Sequence, residues 1–109
     1  MSVGLPAVRA RVYLRDSATF EEDPAHAAIR AAFEGAGARD VSVHRGIMGF
    51  DRASGILSAR PLRFHADQPV VVEAVASREQ IEAALRRVRG VLRRGLITLT
   101  DVELYAPEP

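Results

Sequence analysis

The apolar residues of this chain repeat with two different periods, and the two periods alternate along the sequence. Apolar and polar residues alternate over Val8–Arg15, which predicts a strand with one solvated face. Small and apolar residues then recur at helical spacing over Ala25–Ala36, with Asp23-Pro24 expected as the N-cap and first helical residue. Because glycine readily adopts a left-handed cap, this helix is expected to end near Gly35 or Gly37.

The second half of the chain repeats this order of periods. A strand is predicted over Asp40–Arg45, and the near-continuous apolar run that Pro69 opens predicts a central strand covered on much of both faces. Ser77 and Gln80 have the spacing of a capping box at the start of a second helix. Four apolar residues are expected to form the buried stripe of that helix: Ile81, Leu85, Val88 and Leu92.

Two further features are expected after this stripe. Gly95 should end the second helix directly after Arg93-Arg94, whose positive charges suit the negative end of a helix dipole. The apolar residues of the last strand change parity along its length, which predicts a bend or bulge near Thr100-Asp101. The strand proper is then expected over Val102–Tyr105.

The order of the predicted elements is strand, helix, strand, loop, strand, helix, strand. That order defines an α+β, ferredoxin-like βαββαβ sandwich, with a four-stranded antiparallel sheet and both helices on one face. At 109 residues the chain is expected to form a single domain, with its core over about residues 8–105. The other face of the sheet, which bears Tyr13 and Glu73, must be solvated or covered, and we expect another subunit to cover it.

Composition excludes several kinds of protein and of chemistry. A hydrophobic content of 48% with 27% charged residues excludes a disordered chain. The absence of cysteine excludes disulfides and sulfur-ligated metals, and the absence of lysine excludes a Schiff base and a P-loop lysine. A net charge of +1 provides no strong field toward nucleic acid. Without a signal peptide or an apolar span, the chain is expected to be soluble and cytoplasmic.

Neither a catalytic site nor a nucleic-acid surface can be assembled from the sequence. Hydroxyl nucleophiles have no paired base nearby in the sequence: Ser42, Ser58 and Thr98. A basic cluster on the second helix has no interleaved aromatic residue for base stacking, which favours a solvated face over a nucleic-acid surface: Arg86, Arg87, Arg89, Arg93 and Arg94. We therefore expect a binding or sensing protein rather than an enzyme, with no metal and no required cofactor.

The segment from His44 to Phe50 carries the most informative pattern. A strand that ends in Arg45-Gly46 and runs into Gly49 brings a guanidinium and free backbone N–H groups together, which suits an anionic ligand such as a phosphate. The alternative is that both glycines only form a turn. Over Ile47–Ala59 the sequence fits neither period, so we expect a loop or an extended hairpin tip that can move, with extended chain again over Leu62–Phe64.

Three stretches of the sequence form a recognisable set: Val43–Phe50, Pro69–Glu73 and Gly95–Val102. They resemble the uncharacterised bacterial family related to PII signal proteins, and the Arg-Gly-Ile-Met-Gly-Phe stretch is fairly specific. The resemblance extends from about Arg11 to Tyr105, which is nearly the whole chain. It agrees with the ferredoxin-like fold that the periods predict.

The resemblance implies a homotrimer whose clefts between subunits bind a small anionic effector, with an adenine nucleotide as the candidate. By resemblance, residues 47–60 are the loop that regulates a partner protein, such as a membrane transporter or channel. Arg45 and Gly46 resemble the base of that loop, and Gly95–Thr98 resembles the shorter loop that closes the cleft. The predicted effector-binding residues are Arg45, Gly46, Ile47, Gly49, Phe50, Arg60, Gly95 and Thr98.

A second hypothesis comes from the CutA-type relatives of the same fold. It describes a nucleotide-independent trimeric adaptor or a divalent-cation-binding protein, with His44 and Glu73 as the candidate ligands. A response to copper or zinc, without a response to nucleotides, distinguishes this hypothesis from the first.

Overall fold

The structure is a computed structural model, and it describes residues 4–51, 55–58 and 67–105. The elements are β1 (Leu5–Arg15), β2 (Thr19–Phe20), β3 (Asp23–Pro24), α1 (Ala25–Gly35), β4 (Asp40–Arg45), β5 (Met48–Asp51), β6 (Gly55–Ser58), β7 (Pro69–Ala76), α2 (Arg78–Val91) and β8 (Leu96–Leu104). The four long strands form one antiparallel sheet in the order β4-β7-β1-β8. The predicted α+β, ferredoxin-like architecture is confirmed.

The core lies between the helices and one face of the sheet. Alternate residues of the two central strands are buried there: Val8, Ala10, Val12 and Leu14 of β1, and Val70, Val72, Ala74 and Ala76 of β7. The helices contribute Ile29, Phe33, Ile81 and Val88, each at most 1% exposed. Burial of a large apolar side chain contributes roughly 1.5–3 kcal/mol, so this layer supplies much of the folding free energy.

The start of α1 differs from the prediction. Asp23 and Pro24 do not cap and begin the helix but form β3, which pairs with β2 in a two-residue hairpin. The helix begins at Ala25, and no side chain caps its N-terminus. Asp23 pairs with Phe20 of the neighbouring strand, so the backbone that was predicted to start the helix belongs to the β2–β3 hairpin instead. The end of α1 is close to the prediction, with Gly37 at φ +87° directly after the C-cap.

The start of α2 agrees with the prediction and its end does not. The capping box is present: the backbone N–H of Gln80 donates to Ser77 Oγ at 3.2 Å, and that of Ser77 donates to Gln80 Oε1 at 3.0 Å. The helix ends at Val91 rather than at Gly95, because Leu92 adopts an extended conformation. Arg93-Arg94 therefore lies in the connection to β8 and not in the last helical turn.

The buried stripe of α2 was predicted in part. Ile81 and Val88 are buried as expected, whereas Leu85 and Leu92 are only half-buried on the flank of the stripe. Two smaller residues complete the buried face: Ala84 and Val91. Neither helix in the described residues is long and apolar enough to cross a membrane.

The predicted bulge in the last strand is absent. β8 pairs with β1 in one uninterrupted register, from Tyr13 opposite Leu96 to Leu5 opposite Leu104. The change of parity has another cause: opposite residues of antiparallel strands share a face, so Leu99, opposite Ala10, lies on the helix side of the sheet. The apolar residues that follow occupy the other face of the same regular strand, Val102 and Leu104.

The segment after β4 forms a hairpin. β5 pairs with β6, with Met48 opposite Ser58 and Asp51 opposite Gly55. This agrees with the extended hairpin that the sequence left open as one of two possibilities. The predicted extended stretch Leu62–Phe64 lies outside the described residues. Pro69 begins the central strand β7 as predicted.

Candidate effector site at one end of the sheet

The end of the sheet at which β4 ends carries the predicted Arg45. Its half-exposed side chain pairs with Asp16, which directly follows β1: Nη2 and Nε of Arg45 lie 3.1 and 3.3 Å from Asp16 Oδ1. His26, in the first turn of α1, lies beside both, with its Nε2 3.5 Å from Arg45 Nη2 and 3.7 Å from Asp16 Oδ1. Three elements thus position one guanidinium, and since a guanidinium has five N–H donors, some remain for a ligand.

Gly46 follows Arg45 and connects β4 to the β5–β6 hairpin. Its backbone N–H donates to Pro69 O at 2.8 Å, and its carbonyl accepts from Gln68 Nε2 at 3.4 Å. A Cβ atom on Gly46 would lie 2.8 Å from Pro69 Cγ, which is closer than carbon atoms pack. Gly46 is therefore explained by its close approach to Pro69, and its N–H is already used by the protein. The sequence-based expectation of free N–H groups here is not met at this residue.

The other predicted residues of this segment belong to the hairpin, to the residues just before it, or to the part of the chain that the structure does not describe. Ile47 is 82% exposed, and Met48 beside it is 60% exposed. Gly49 and Phe50 lie within β5, so they belong to the hairpin rather than to a phosphate-binding turn. Arg60 lies outside the described residues.

Gly95 and Thr98 lie at the opposite edge of the sheet. Gly95 precedes β8 at φ +149°, and a Cβ atom there would lie 2.3 Å from Tyr13 O, so only glycine fits. Thr98 lies in β8 opposite Arg11, on the face of the sheet away from the helices. The backbone conformation explains why Gly95 is glycine without any ligand.

Those predicted site residues that the structure describes therefore form two groups within one chain. Both groups lie toward the same end of the sheet, because Arg45 pairs with Val70 there and Tyr13 pairs with Leu96. They are separated by the whole width of the sheet, since β4 and β8 are its two edges. Three strand spacings amount to roughly 14 Å, which is too far for one small anion to contact both.

The open face of the sheet, away from the helices, carries a half-buried charge network. Glu73 in β7 accepts a hydrogen bond from Arg11 Nε at 2.6 Å, and Arg9 Nε lies 4.0 Å from the same oxygen. The hydrogen bond to Glu73, with a second to Tyr13, raises the pKa of Arg11 above its usual value. Arg9 Nε is buried and has no hydrogen-bond partner among the described residues.

The candidate metal ligands lie on this same face but are engaged otherwise. His44 Nε2 lies 2.9 Å from Ser42 Oγ, a pairing that the sequence analysis missed although alternate residues of one strand share a face. Glu73 is held by Arg11. Within the chain that the structure describes, no three histidine or acidic side chains are grouped closely enough to hold a metal ion.

Comparison with solved structures defines the class of protein. The CPII nitrogen regulatory PII-like protein of Thiomonas intermedia, solved bound to ADP, AMP and bicarbonate, is similar at a TM-score of 0.71 and 14% identity, over 94% of this chain and 92% of that one. GlnK of Bacillus subtilis is similar at a TM-score of 0.53 and 10% identity, over 90% of this chain and 86% of that one. The fold is therefore that of PII-like proteins.

Comparison of sequences then gives the family. Residues 7–104 match DUF190, described as "Uncharacterized ACR, COG1993", and the chain belongs to that family. It is 29% identical over 94 residues to a UPF0166 protein of Aquifex aeolicus, covering 86% of this chain and 89% of the relative. It is 28% identical over 99 residues to a UPF0166 protein of Methanocaldococcus jannaschii, covering 90% and 91%. The predicted relation to PII signal proteins is confirmed.

Proposed function

We propose that this protein is a cytoplasmic, trimeric, PII-like regulator that binds a small anionic effector, an adenine nucleotide, in grooves between subunits. It acts without catalysing a reaction. Its output is the regulation of a partner protein, such as a membrane transporter or channel, through residues 47–60. The observation that carries this proposal is the position of Arg45, whose guanidinium is oriented by Asp16 and His26 at the base of the β5–β6 hairpin.

The spacing of the site residues supports a groove shared by two subunits. Arg45 lies at one edge of the sheet and Gly95 at the other, so a second chain is needed to bring the two edges close together. The open face supports assembly as well, because Arg9 Nε is buried on it without a hydrogen-bond partner among the described residues. Buried polar groups are normally satisfied, and a neighbouring subunit would supply the missing acceptor.

The hairpin supports the regulatory output. Ile47 and Met48 begin it with large, exposed apolar side chains beside Arg45. Exposed apolar side chains next to an oriented charge are common where a protein contacts a partner. An anion bound by Arg45 would compete with Asp16 for the guanidinium, and this would change the support at the base of the hairpin.

The experiment is isothermal titration calorimetry with ATP, ADP, AMP and cyclic nucleotides, on the wild type and on Arg45→Ala. Loss of a charge-assisted hydrogen bond of roughly 1.5–3 kcal/mol should weaken effector binding about tenfold or more. Arg30→Ala is the matched control, because Arg30 is an exposed arginine that pairs with Glu34 on α1, away from the site. Light scattering should give three times the 11.8 kDa of one chain.

Two results would remove parts of this proposal. If no nucleotide gives heat, the effector is not an adenine nucleotide; if the protein scatters as a monomer, the shared groove does not exist. A thermal shift with copper or zinc alone would favour the cation-binding alternative. That alternative has less support, because Arg11 occupies Glu73 and Ser42 lies beside His44.

A further inference from the structure

The guanidinium of Arg45 is held by two side chains that respond differently to pH. Nη2 of Arg45 lies 3.1 Å from Asp16 Oδ1 and 3.5 Å from His26 Nε2. Of these three residue types, only histidine ordinarily changes its charge between about pH 5 and pH 8. A proton taken up by His26 would therefore change the contacts that hold Arg45.

The contact between Arg45 and His26 requires a neutral imidazole. A guanidinium only donates hydrogen bonds, so Nε2 of His26 has to be the acceptor and carries no proton in this arrangement. A proton added to the ring goes to this nitrogen, because a neutral imidazole with a bare Nε2 already carries its proton on Nδ1. The hydrogen bond would then be lost, and two cationic groups would face each other with their nitrogen atoms 3.5 Å apart.

The same proton gives Asp16 a second cation to bind. Nε2 of His26 lies 3.7 Å from Asp16 Oδ1, the oxygen that also accepts from Arg45. The N-terminal end of a helix disfavours a positive charge, and the first turn of α1 has no acidic residue of its own. Asp16 is therefore the carboxylate that balances a protonated His26, and its hold on Arg45 weakens.

Two elements beside His26 carry further charges. On α1, Arg30 lies one turn after His26 and pairs with Glu34. The β2–β3 hairpin before the helix carries three exposed acidic residues, and among the described residues none of them forms an ion pair with His26: Glu21, Glu22 and Asp23. These charges therefore do not take the place of Asp16.

The segment that leads into β7 carries one more carboxylate, that of Asp67. It accepts a hydrogen bond from Ser17 Oγ at 2.6 Å and lies 3.6 Å from Arg15 Nε. Since Asp67 is held by these two partners, a proton on the imidazole acts mainly on the pair of Asp16 and Arg45.

We propose that protonation of His26 releases Arg45 for anion binding, so that effector binding strengthens as the pH falls from about 8 to 5.5. His26 is a positioning residue in this inference, because it acts through Arg45 and need not touch the effector. The inference rests on the proposed function, which takes Arg45 as an effector-binding residue, and it adds regulation by pH to that site.

The first test follows the free protein, labelled with ¹³C and ¹⁵N, by NMR between about pH 5.5 and pH 8. The Cζ and Nε signals of Arg45 are recorded through carbon, so that no exchangeable proton is needed, together with the ring signals of His26. The Arg45 signals should shift with the same midpoint as the ring of His26. Arg45 signals that do not follow the protonation of His26 would overturn the proposal.

The second test titrates sodium sulfate at both ends of this pH range, against sodium chloride of equal ionic strength. Sulfate keeps the same charge throughout, whereas a phosphate monoester takes up a proton near pH ~6. The dissociation constant read from the Arg45 signals should be about fivefold lower at the acidic end, the effect of one added charge about 4 Å away in water. An affinity that does not rise on acidification, including no binding at either pH, would contradict the proposal.

Two variants separate His26 from the other histidines. His26→Gln keeps a side chain that can accept from Arg45 but takes up no proton, so its Arg45 signals and sulfate affinity should not change with pH. His44→Gln is the matched control, because His44 precedes Arg45 in β4 but lies on the opposite face, with its Nε2 2.9 Å from Ser42 Oγ. This control should respond to pH like the wild type.

The outcomes for the two variants decide the assignment to His26. A pH response that persists in His26→Gln, or one that is lost in His44→Gln, would overturn it, and unchanged thermal unfolding shows that each variant is folded. Nucleotide calorimetry tests the proposed function separately. If no nucleotide binds while Arg45 still follows His26 and binds sulfate more tightly at acidic pH, the nucleotide proposal fails and the pH-dependent anion site remains.

Discussion

The two faces of the sheet are built differently. On the helix side, the stretches Val8–Leu14 of β1 and Val70–Ala76 of β7 bury only apolar residues, each at most 4% exposed. On the open side, Tyr13 and Val71 are only half-buried. They lie beside a charge network in which Glu73 forms ion pairs with both Arg9 and Arg11. The first face is complete within one chain, whereas the second contains a buried donor without an acceptor among the described residues. Substitutions under the helices should therefore test folding, and those on the open face should test assembly.

The largest effect is expected under the helices. Phe33→Ala should lower the free energy of unfolding by about 3–5 kcal/mol, because Phe33 is fully buried and its removal leaves a cavity in the core. Urea unfolding followed by circular dichroism measures this loss, and Phe33→Leu, which keeps most of the volume, should cost less. A loss of only about 0.5 kcal/mol, as for a surface substitution, would contradict the assignment of the core to this face.

The next effect is expected where the connection from α2 crosses the end of β1. Gly95→Ala should lower the free energy of unfolding by about 1–3 kcal/mol, because φ is +149° and the new Cβ would lie 2.3 Å from Tyr13 O. The same urea experiment measures it. If Gly95→Ala left the free energy of unfolding unchanged, the backbone of this connection would have to rearrange easily. Backbone strain would then not explain the glycine at residue 95, and ligand binding would be its explanation.

The open face should respond in assembly rather than in folding. Glu73→Gln keeps the shape of the side chain but removes the charge that Arg11 binds, so association between copies should weaken about tenfold or more. Light scattering over a dilution series measures the association. Glu82→Gln is the control, since Glu82 is exposed on α2. If Glu73→Gln unfolds the monomer and leaves the mass unchanged at all concentrations, the distinction between the two faces fails.

The sequence predicted the fold well where periodicity and backbone chemistry agree. Ser77 with Gln80 located the start of α2, and the apolar run after Pro69 located a central strand. It failed where a long-range pairing decides the outcome. Asp23-Pro24 has the chemistry of a helix start, but pairing with Thr19-Phe20 places it in a hairpin. The change of parity in β8 has no backbone cause, because an edge strand accommodates apolar residues on both of its faces.

The candidate site was predictable in part. The sequence singled out Arg45, which lies at the end of β4, shortly before the β5–β6 hairpin. Its contacts with Asp16 and His26 could not be predicted, because they join residues 29 and 19 positions apart that only the packing of α1 beside the sheet brings together. The position of Arg93-Arg94 was predicted wrongly, because the sequence assigned this pair to the last turn of α2 and the helix ends earlier, at Val91.

The smallest effect is expected at a glycine where an added Cβ atom would lie in open space. Gly90 lies near the end of α2, and, apart from its chain neighbours and the backbone of its own helix, no atom of the described residues would lie within 4 Å of a Cβ atom there. Gly90→Ala should therefore raise the free energy of unfolding by about 0.5–1 kcal/mol, because alanine loses less backbone entropy in a helix. Urea unfolding measures the gain, and light scattering should show an unchanged mass. These two results would show that the outer face of α2 is neither strained nor part of an interface. Gly90→Ala then serves as the reference for the stability of Gly95→Ala and for the association of Glu73→Gln. A loss of stability or of assembly at Gly90 would instead mean that this outer face is covered, and the helix side would no longer be complete within one chain.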